Sequence, residues 1–173
     1  MRWPRSRSGA AVVLSLVLSA CIASAPSLRA VRWFDPLPAS SPGATTAGAT
    51  LRVTAAPHLA REFVVRVSAR EVAFDSEHQW IVEPRLLLAT VLDGVDVVGA
   101  KPADHIEVSL EAFELDVTAA PRAHVRFVVQ GVAAVAARTI DVYAPSADRS
   151  PEAFAAAMAT ALEQARAAFG SAP

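Results

Sequence analysis

Cysteine is nearly absent: Cys21 is the only one in 173 residues. A lone thiol cannot form an internal disulfide, so its presence needs another explanation. Glycine is scarce at seven, and the chain holds no phosphate-binding glycine loop, no dinucleotide fingerprint and no Gly-x-Ser-x-Gly. Basic runs are missing as well. That removes the electrostatic footprint of a nucleic-acid-binding protein and the polybasic patch of a peripheral membrane protein. The four histidines, His58, His78, His105 and His124, are scattered without metal-ligand spacing, so no metal and no cofactor are expected. No charge-free apolar run reaches the roughly 20 residues a bilayer-spanning helix requires.

The short apolar run that is present lies at the start. Arg2, Arg5 and Arg7 precede Ala10 to Leu18 (AAVVLSLVL), and Leu18-Ser19-Ala20-Cys21 follows at once. This order has the positive region, short apolar core and small-residue step of a secretory signal. A cysteine directly after the small residues is where an exported chain carries diacylglycerol on sulfur and an acyl chain on the freed amine. The competing reading is an ordinary signal peptide with an incidental cysteine; the position of the sole thiol favours the lipoprotein. Residues 1–20 are therefore assigned to a lipoprotein signal, and Cys21 to lipid attachment. Ile22 is not the aspartate that commonly retains lipoproteins at the inner membrane, which favours the outer membrane, facing the periplasm.

Removing residues 1–20 from the 173 leaves 153, the size of one domain. With 13 basic against 17 acidic residues, this chain carries a net charge of −4. Membrane contact would then come from the acyl chains, which hold stably when two or more are present. Residues 21–30 are rich in Ala, Ser and Pro and read as a flexible tether.

Alternation predicts strands at Val31 to Asp35, Leu51 to Ala55, Phe63 to Val67 and Glu71 to Phe74, the last two forming a hairpin across Ser68-Ala69-Arg70. Ala39 to Thr50 reads as a loop. Pro84 at a first helical position opens a helix through Leu87, Leu88, Val91 and Leu92, ending at Gly94 or, if longer, near Val98 before Gly99 and Pro102. Ile106, Val108 and Leu110 share one parity whereas Phe113, Leu115 and Val117 share the other. A one-residue slip of this kind predicts a β-bulge or bend. Glu107, Glu111, Glu114 and Asp116 are expected on the solvated face of that strand. Strands through Val125, Phe127 and Val129 and through Ile140 and Val142 follow. Ser150-Pro151-Glu152 then starts a helix whose stripe is Phe154, Ala157, Met158, Ala161, Leu162, Ala165 and Phe169. The expected fold is mixed α+β, a mixed β-sheet packed with two main helices.

Catalytic constellations are thin. Asp75, Ser76 and His78 are a triad's residue types in a row, but neighbours on a chain point apart, so a polar turn after a strand is the better reading and no enzyme is expected. Arg66, Trp80 and Pro84 stand out differently. Trp80 either staples the start of the Pro84 helix or forms, with Arg66, an exposed anchor for a partner.

Across Leu51 to Leu88 (LRVTAAPHLAREFVVRVSAREVAFDSEHQWIVEPRLLL) the chain resembles the ABC-type transport auxiliary lipoprotein family, the accessory lipoproteins of mammalian-cell-entry (MCE) domain and paraquat-inducible-type intermembrane transport systems. The resemblance rests on Pro57-His58-Leu59, Val65-Arg66, Phe74, Trp80 and Pro84. It begins at Trp33 and Phe34 and extends to Leu110 to Glu114, the turn before Val125 and the alanine-rich C-terminal helix. Val65 stands where the family commonly has tyrosine, Phe74-Asp75 replaces a frequent aromatic pair, and Ile81-Val82 follows the tryptophan where a small residue is common.

The resemblance implies that residues 31–173 form one auxiliary domain with a fold similar to the N-terminal domain of TolB. It further implies a non-catalytic accessory that helps move lipids or other hydrophobic molecules between inner and outer membranes. Its partners would be an MCE-domain protein and an ABC permease/ATPase complex, and a homo-oligomer would be compatible with that role. Two other classes stay open: a lipoprotein holding lipid or a small molecule in its own cavity, and an envelope hydrolase.

Overall fold

The chain is built around one long strand. In the computed structural model, which describes residues 30–37, 50–97, 101, 104–130 and 137–171, β5 (His105–Asp116) is paired along both edges. One edge holds β6 (Arg122–Gln130) antiparallel over nearly the full length. The other edge is shared end to end: β2 (Thr50–Ala55) pairs parallel with residues 105–110, and β3 (Glu62–Ser68) pairs parallel with Leu115 and Asp116. Beyond β3 lie β4 (Glu71–Trp80), antiparallel, and β1 (Arg32–Phe34), parallel to β4; beyond β6 lies β7 (Arg138–Pro145). The seven strands thus form one mixed sheet in the order β1-β4-β3-β5-β6-β7, with β2 beside β5.

The slip in apolar parity along β5 is a bulge. Leu110 pairs with Phe127 but Ala112 pairs with Arg126, leaving Glu111 as the extra residue. Ile106, Val108 and Leu110 before the bulge, and Phe113 and Leu115 after it, can then all face one core. The β3–β4 hairpin forms across residues 69–70 as expected.

Two helices cover that core face. α1 (Pro84–Leu92) packs on β2 and against α2 (Pro151–Gly170), which lies on β6 and β7. α1 buries Pro84, Leu87, Leu88, Val91 and Leu92 and ends where Gly94 takes a positive φ of 67°, a conformation open to glycine at little cost. α2 buries Phe154, Ala157, Met158, Ala161, Leu162, Ala165 and Phe169, which is the stripe read from its sequence. Its N-terminus is satisfied by Ser150, whose hydroxyl accepts a hydrogen bond from the Ala153 amide at 3.2 Å. Replacing Ser150 with alanine should cost about 1 kcal/mol in urea unfolding, with glycine in its place costing only a few tenths.

Between sheet and helices sits an aromatic cluster. Trp80 has 0% exposure and contacts Phe63, Phe113 and Phe154 at ring-centroid distances of 4.1, 5.2 and 5.2 Å. Phe34 reaches Phe63 at 5.2 Å, which ties the short β1 to the same core.

Two sequence-based expectations change. β4 runs on to Trp80 rather than stopping near Phe74, because its second half gains a partner in β1, a pairing between distant segments. Asp75 to His78 therefore lie within the strand, in an irregular stretch where the β3 pairing jumps from Asp75 to Gln79. The signal residues, Cys21, the tether up to residue 29, most of the 39–50 loop, and Val98, Gly99 and Pro102 lie outside the described residues.

Candidate functional site

On the face of the sheet opposite the helices, alternation places a second set of side chains. The hairpin register pairs Asp116 with Arg122 and Glu114 with His124, and β7 adds Tyr143 opposite His124. Directly paired residues share a face, so these side chains must meet. They form a continuous charged and aromatic network.

Glu114 is at its centre with 0% exposure. Arg66 donates to it from Nε at 2.5 Å and from Nη2 at 2.9 Å, a two-pronged contact matching the planar geometry of both groups. His124 places Nδ1 2.9 Å from the same carboxylate and Nε2 2.9 Å from Asp141 on β7. The Tyr143 ring lies parallel to the His124 ring at 4.3 Å, and the Arg122 guanidinium sits 4.1 Å from the Tyr143 centroid. Arg122 also donates to Asp116 at 2.7 and 2.9 Å, and Thr118 donates to Asp116 from its hydroxyl at 2.6 Å.

The electrostatics follow from these contacts. Burial pushes the Glu114 carboxyl up, but the hydrogen bonds from His124 and Arg66 outweigh it and hold the group below its usual range. Arg66 is raised by its hydrogen bond to Glu114, and Tyr143 is raised by burial and by Asp141. Burial also works against ionised Asp116, yet Thr118 and Arg122 bring it down from 3.8 to about 2.

A folded-state value below the unfolded one means that the ionised form stabilises the fold. The Asp116 contribution, about 2 kcal/mol, is therefore complete above about pH 5 and is lost as the pH falls through about 2. Urea unfolding at pH 5 and pH 2.5 should show that loss in the wild-type protein and a shallower one in Asp116→Asn.

Glu114 and Asp116 thus do not form a solvated face, whereas Glu107 and Glu111 do remain exposed. The difference is the bulge and the company: His124, Tyr143 and two arginines close over the second half of β5. Sequence reasoning placed Glu114 on the solvated face, counted His124 only among scattered histidines, and passed over Asp141 and Tyr143. The available signal was the turn at 117–121, whose register alone sets Glu114 against His124.

The residues singled out from sequence are dispersed. Arg66 belongs to the polar network, whereas Trp80 and Pro84 are buried in the core. Trp80 presents no surface to a partner, because it fills the gap between the sheet and α2, where its ring contacts are Phe63, Phe113 and Phe154. Asp75 and His78 do meet, Oδ2 to Nδ1 at 2.7 Å, but Ser76 between them is exposed and its hydroxyl is not part of the pair. Among the described residues no group of three or more His, Cys, Asp or Glu could hold a metal ion. Cys21 lies outside them.

Nearer the other end of β5, on the same helix-free face, Arg52, Thr54, Glu107, Val108, Ser109 and Gln130 line a depression of about 260 Å³. Its lining is mostly polar or charged, and it is open on one side.

No family model and no curated protein matches the chain. Among solved structures, the protein XCC0632 from Xanthomonas campestris, described as a DUF330 protein, superposes with a TM-score of 0.63 at 19% identity, over 81% of this chain and 93% of its own. A crystal structure of an uncharacterized protein superposes with a TM-score of 0.61 at 14% identity, over 82% and 97% of the two chains. What is shared at these identities is the fold, a mixed sheet carrying two helices on one side.

Proposed function

We propose that the protein is a lipid-anchored envelope component that acts, without catalysis of its own, as an accessory to an MCE-type ABC transport system moving lipids or other hydrophobic molecules between membranes. The observation that carries this reading is the leader itself: three arginines, a nine-residue apolar run, and the chain's sole cysteine directly after Leu-Ser-Ala. The stretch that resembles the auxiliary lipoproteins, residues 51–88, supports it from the folded side. It supplies β2, β3 and β4, which lie on one side of β5, and the start of α1.

The site geometry supports docking over containment. Arg66, Glu114, His124, Asp141, Arg122 and Asp116 satisfy one another, which rigidifies a surface rather than aiming groups at a substrate. The depression over β2 and β5 is charged at Arg52 and Glu107, a poor container for an acyl chain. A tagged full-length protein extracted from membranes in mild detergent should bring down an MCE-domain protein. Isolation of the protein alone, together with unaltered lipid traffic in a deletion strain, would overturn the proposal; bound lipid in native mass spectrometry would favour a carrier instead.

A further inference from the structure

Several large apolar side chains stay exposed among the described residues, Val67, Phe74 and Leu86 among them, and three more lie at the β1 edge of the sheet. Trp33 on β1 is 53% exposed, Val31 41% and Ile81 48%. Register places them together. Trp33 pairs with Gln79, and Val31 precedes Trp33 by two residues, the spacing that returns an extended chain to the same face. Ile81 follows Gln79 by two, and its amide donates to the Phe34 carbonyl at 2.8 Å, so the β1–β4 pairing continues through it. Phe34, between Val31 and Asp35 but of opposite parity, faces the core against Phe63. The result is an apolar edge of the sheet, on the side away from the aromatic cluster.

We infer that this edge, Val31, Trp33 and Ile81, rests in the interfacial layer of the bilayer to which Cys21 is anchored. The inference rests on the lipoprotein reading and adds a contact to it. Chain length selects a lipid surface over other occupants. Val31 is ten steps along the chain from Cys21, so even fully extended the nine residues between hold the start of β1 within about 35 Å of the acylated residue. The apolar edge begins at that same point in the chain, and tethering gives it a high effective concentration at the bilayer. Tryptophan suits the place, since its ring is amphipathic and concentrates at headgroup depth. The neighbouring cation is already engaged: Arg32 is ion-paired with Glu152 at the start of α2. The contact is therefore apolar in kind, and anionic lipid should not be required for it.

The test uses the processed, acylated full chain reconstituted into phosphatidylcholine vesicles, with and without dibrominated phosphatidylcholine. Of the tryptophans, Trp3 leaves with residues 1–20 and Trp80 is buried in the core, so Trp33 dominates any lipid-dependent change. The expected result is a blue-shifted Trp33 emission and quenching by bromolipid. Quenching should vanish in Trp33→Phe, weaken in Ile81→Asp and persist without anionic lipid. Both substitutions are at exposed positions, and retained Trp80 emission reports that the core is intact.

Protein that floats with the vesicles while Trp33 stays open to aqueous iodide would overturn the inference and leave the lipoprotein reading standing. Protein that fails to float at all would instead refute the anchor. A Trp33 shift that follows protein concentration in micelles would assign the edge to a second copy and likewise overturn it.

Discussion

Trp80→Ala is expected to destabilise the fold by about 3–5 kcal/mol, the range for emptying a fully packed aromatic site. The side chain has no exposed surface and touches three phenylalanines contributed by β3, β5 and α2. Removing it takes away apolar area and leaves a cavity that three separate elements would have to collapse to fill. Trp80→Phe should be far milder. It keeps an aromatic ring in place and removes the indole Nε1, a buried donor with no hydrogen-bond partner among the described residues. Loss of ring area and relief of that unmet donor oppose each other, so the net cost should fall near 1 kcal/mol or below. Urea midpoints of the two variants, compared at equal m-values, separate these effects. A similar large cost for both would mean that the indole nitrogen does take part in a bond.

Glu114→Ala is the second large effect, about 3–5 kcal/mol, by a different mechanism. The carboxylate accepts from Arg66 and faces His124, so deleting it strands a guanidinium and an imidazole on a covered surface. The exposed pair Arg52–Glu107, 3.8 Å apart, is the control: Glu107→Ala should cost under about 0.5 kcal/mol, as exposed ion pairs do. Arg66→Met should recover part of the loss in the Glu114→Ala background, because the uncompensated charge is removed with it. A double-mutant cycle over Arg66 and Glu114 measures the coupling. Additive losses would show that the two groups do not act as a unit.

The two predictions also mark how legible the molecule is from its sequence. The α2 stripe from Phe154 to Phe169 was readable because helical period, cap and first-turn proline lie within one short stretch. The bulge at Glu111 was readable because a change of parity is local too. Neither the length of β4 nor the end-to-end arrangement of β2 and β3 along β5 was readable. Both depend on parallel pairings between segments far apart in sequence, which leave no local pattern.

The polar network was missed for a related reason. Acidic residues on alternate positions of a strand look the same whether water or arginine covers them. Only the register across β3, β6 and β7 brings Arg66, His124 and Tyr143 over Glu114. Trp80 shows the converse, a residue whose type allowed a partner anchor and whose position at the end of β4, packed against Phe63, Phe113 and Phe154, made it core. The Asp75 and His78 contact forms because the strand is irregular there, a feature set by β3 and β1 together.

The mixed sheet with two helices on one face holds Glu114 and Asp116 in mutually satisfied contacts, which would suit the proposed role of a tethered domain. The most direct test of the central claim is therefore the fate of the domain when the anchor is removed. Full-length protein and its Cys21→Ser variant should be compared by membrane flotation and by intact mass. The wild-type protein is expected to float with the envelope, to lack residues 1–20 and to carry the mass of a diacylglyceryl and an additional acyl group. The variant is expected in the soluble fraction, without the lipid mass and without an MCE-domain partner. Equal flotation of the two proteins, or a wild-type mass without lipid, would contradict the account.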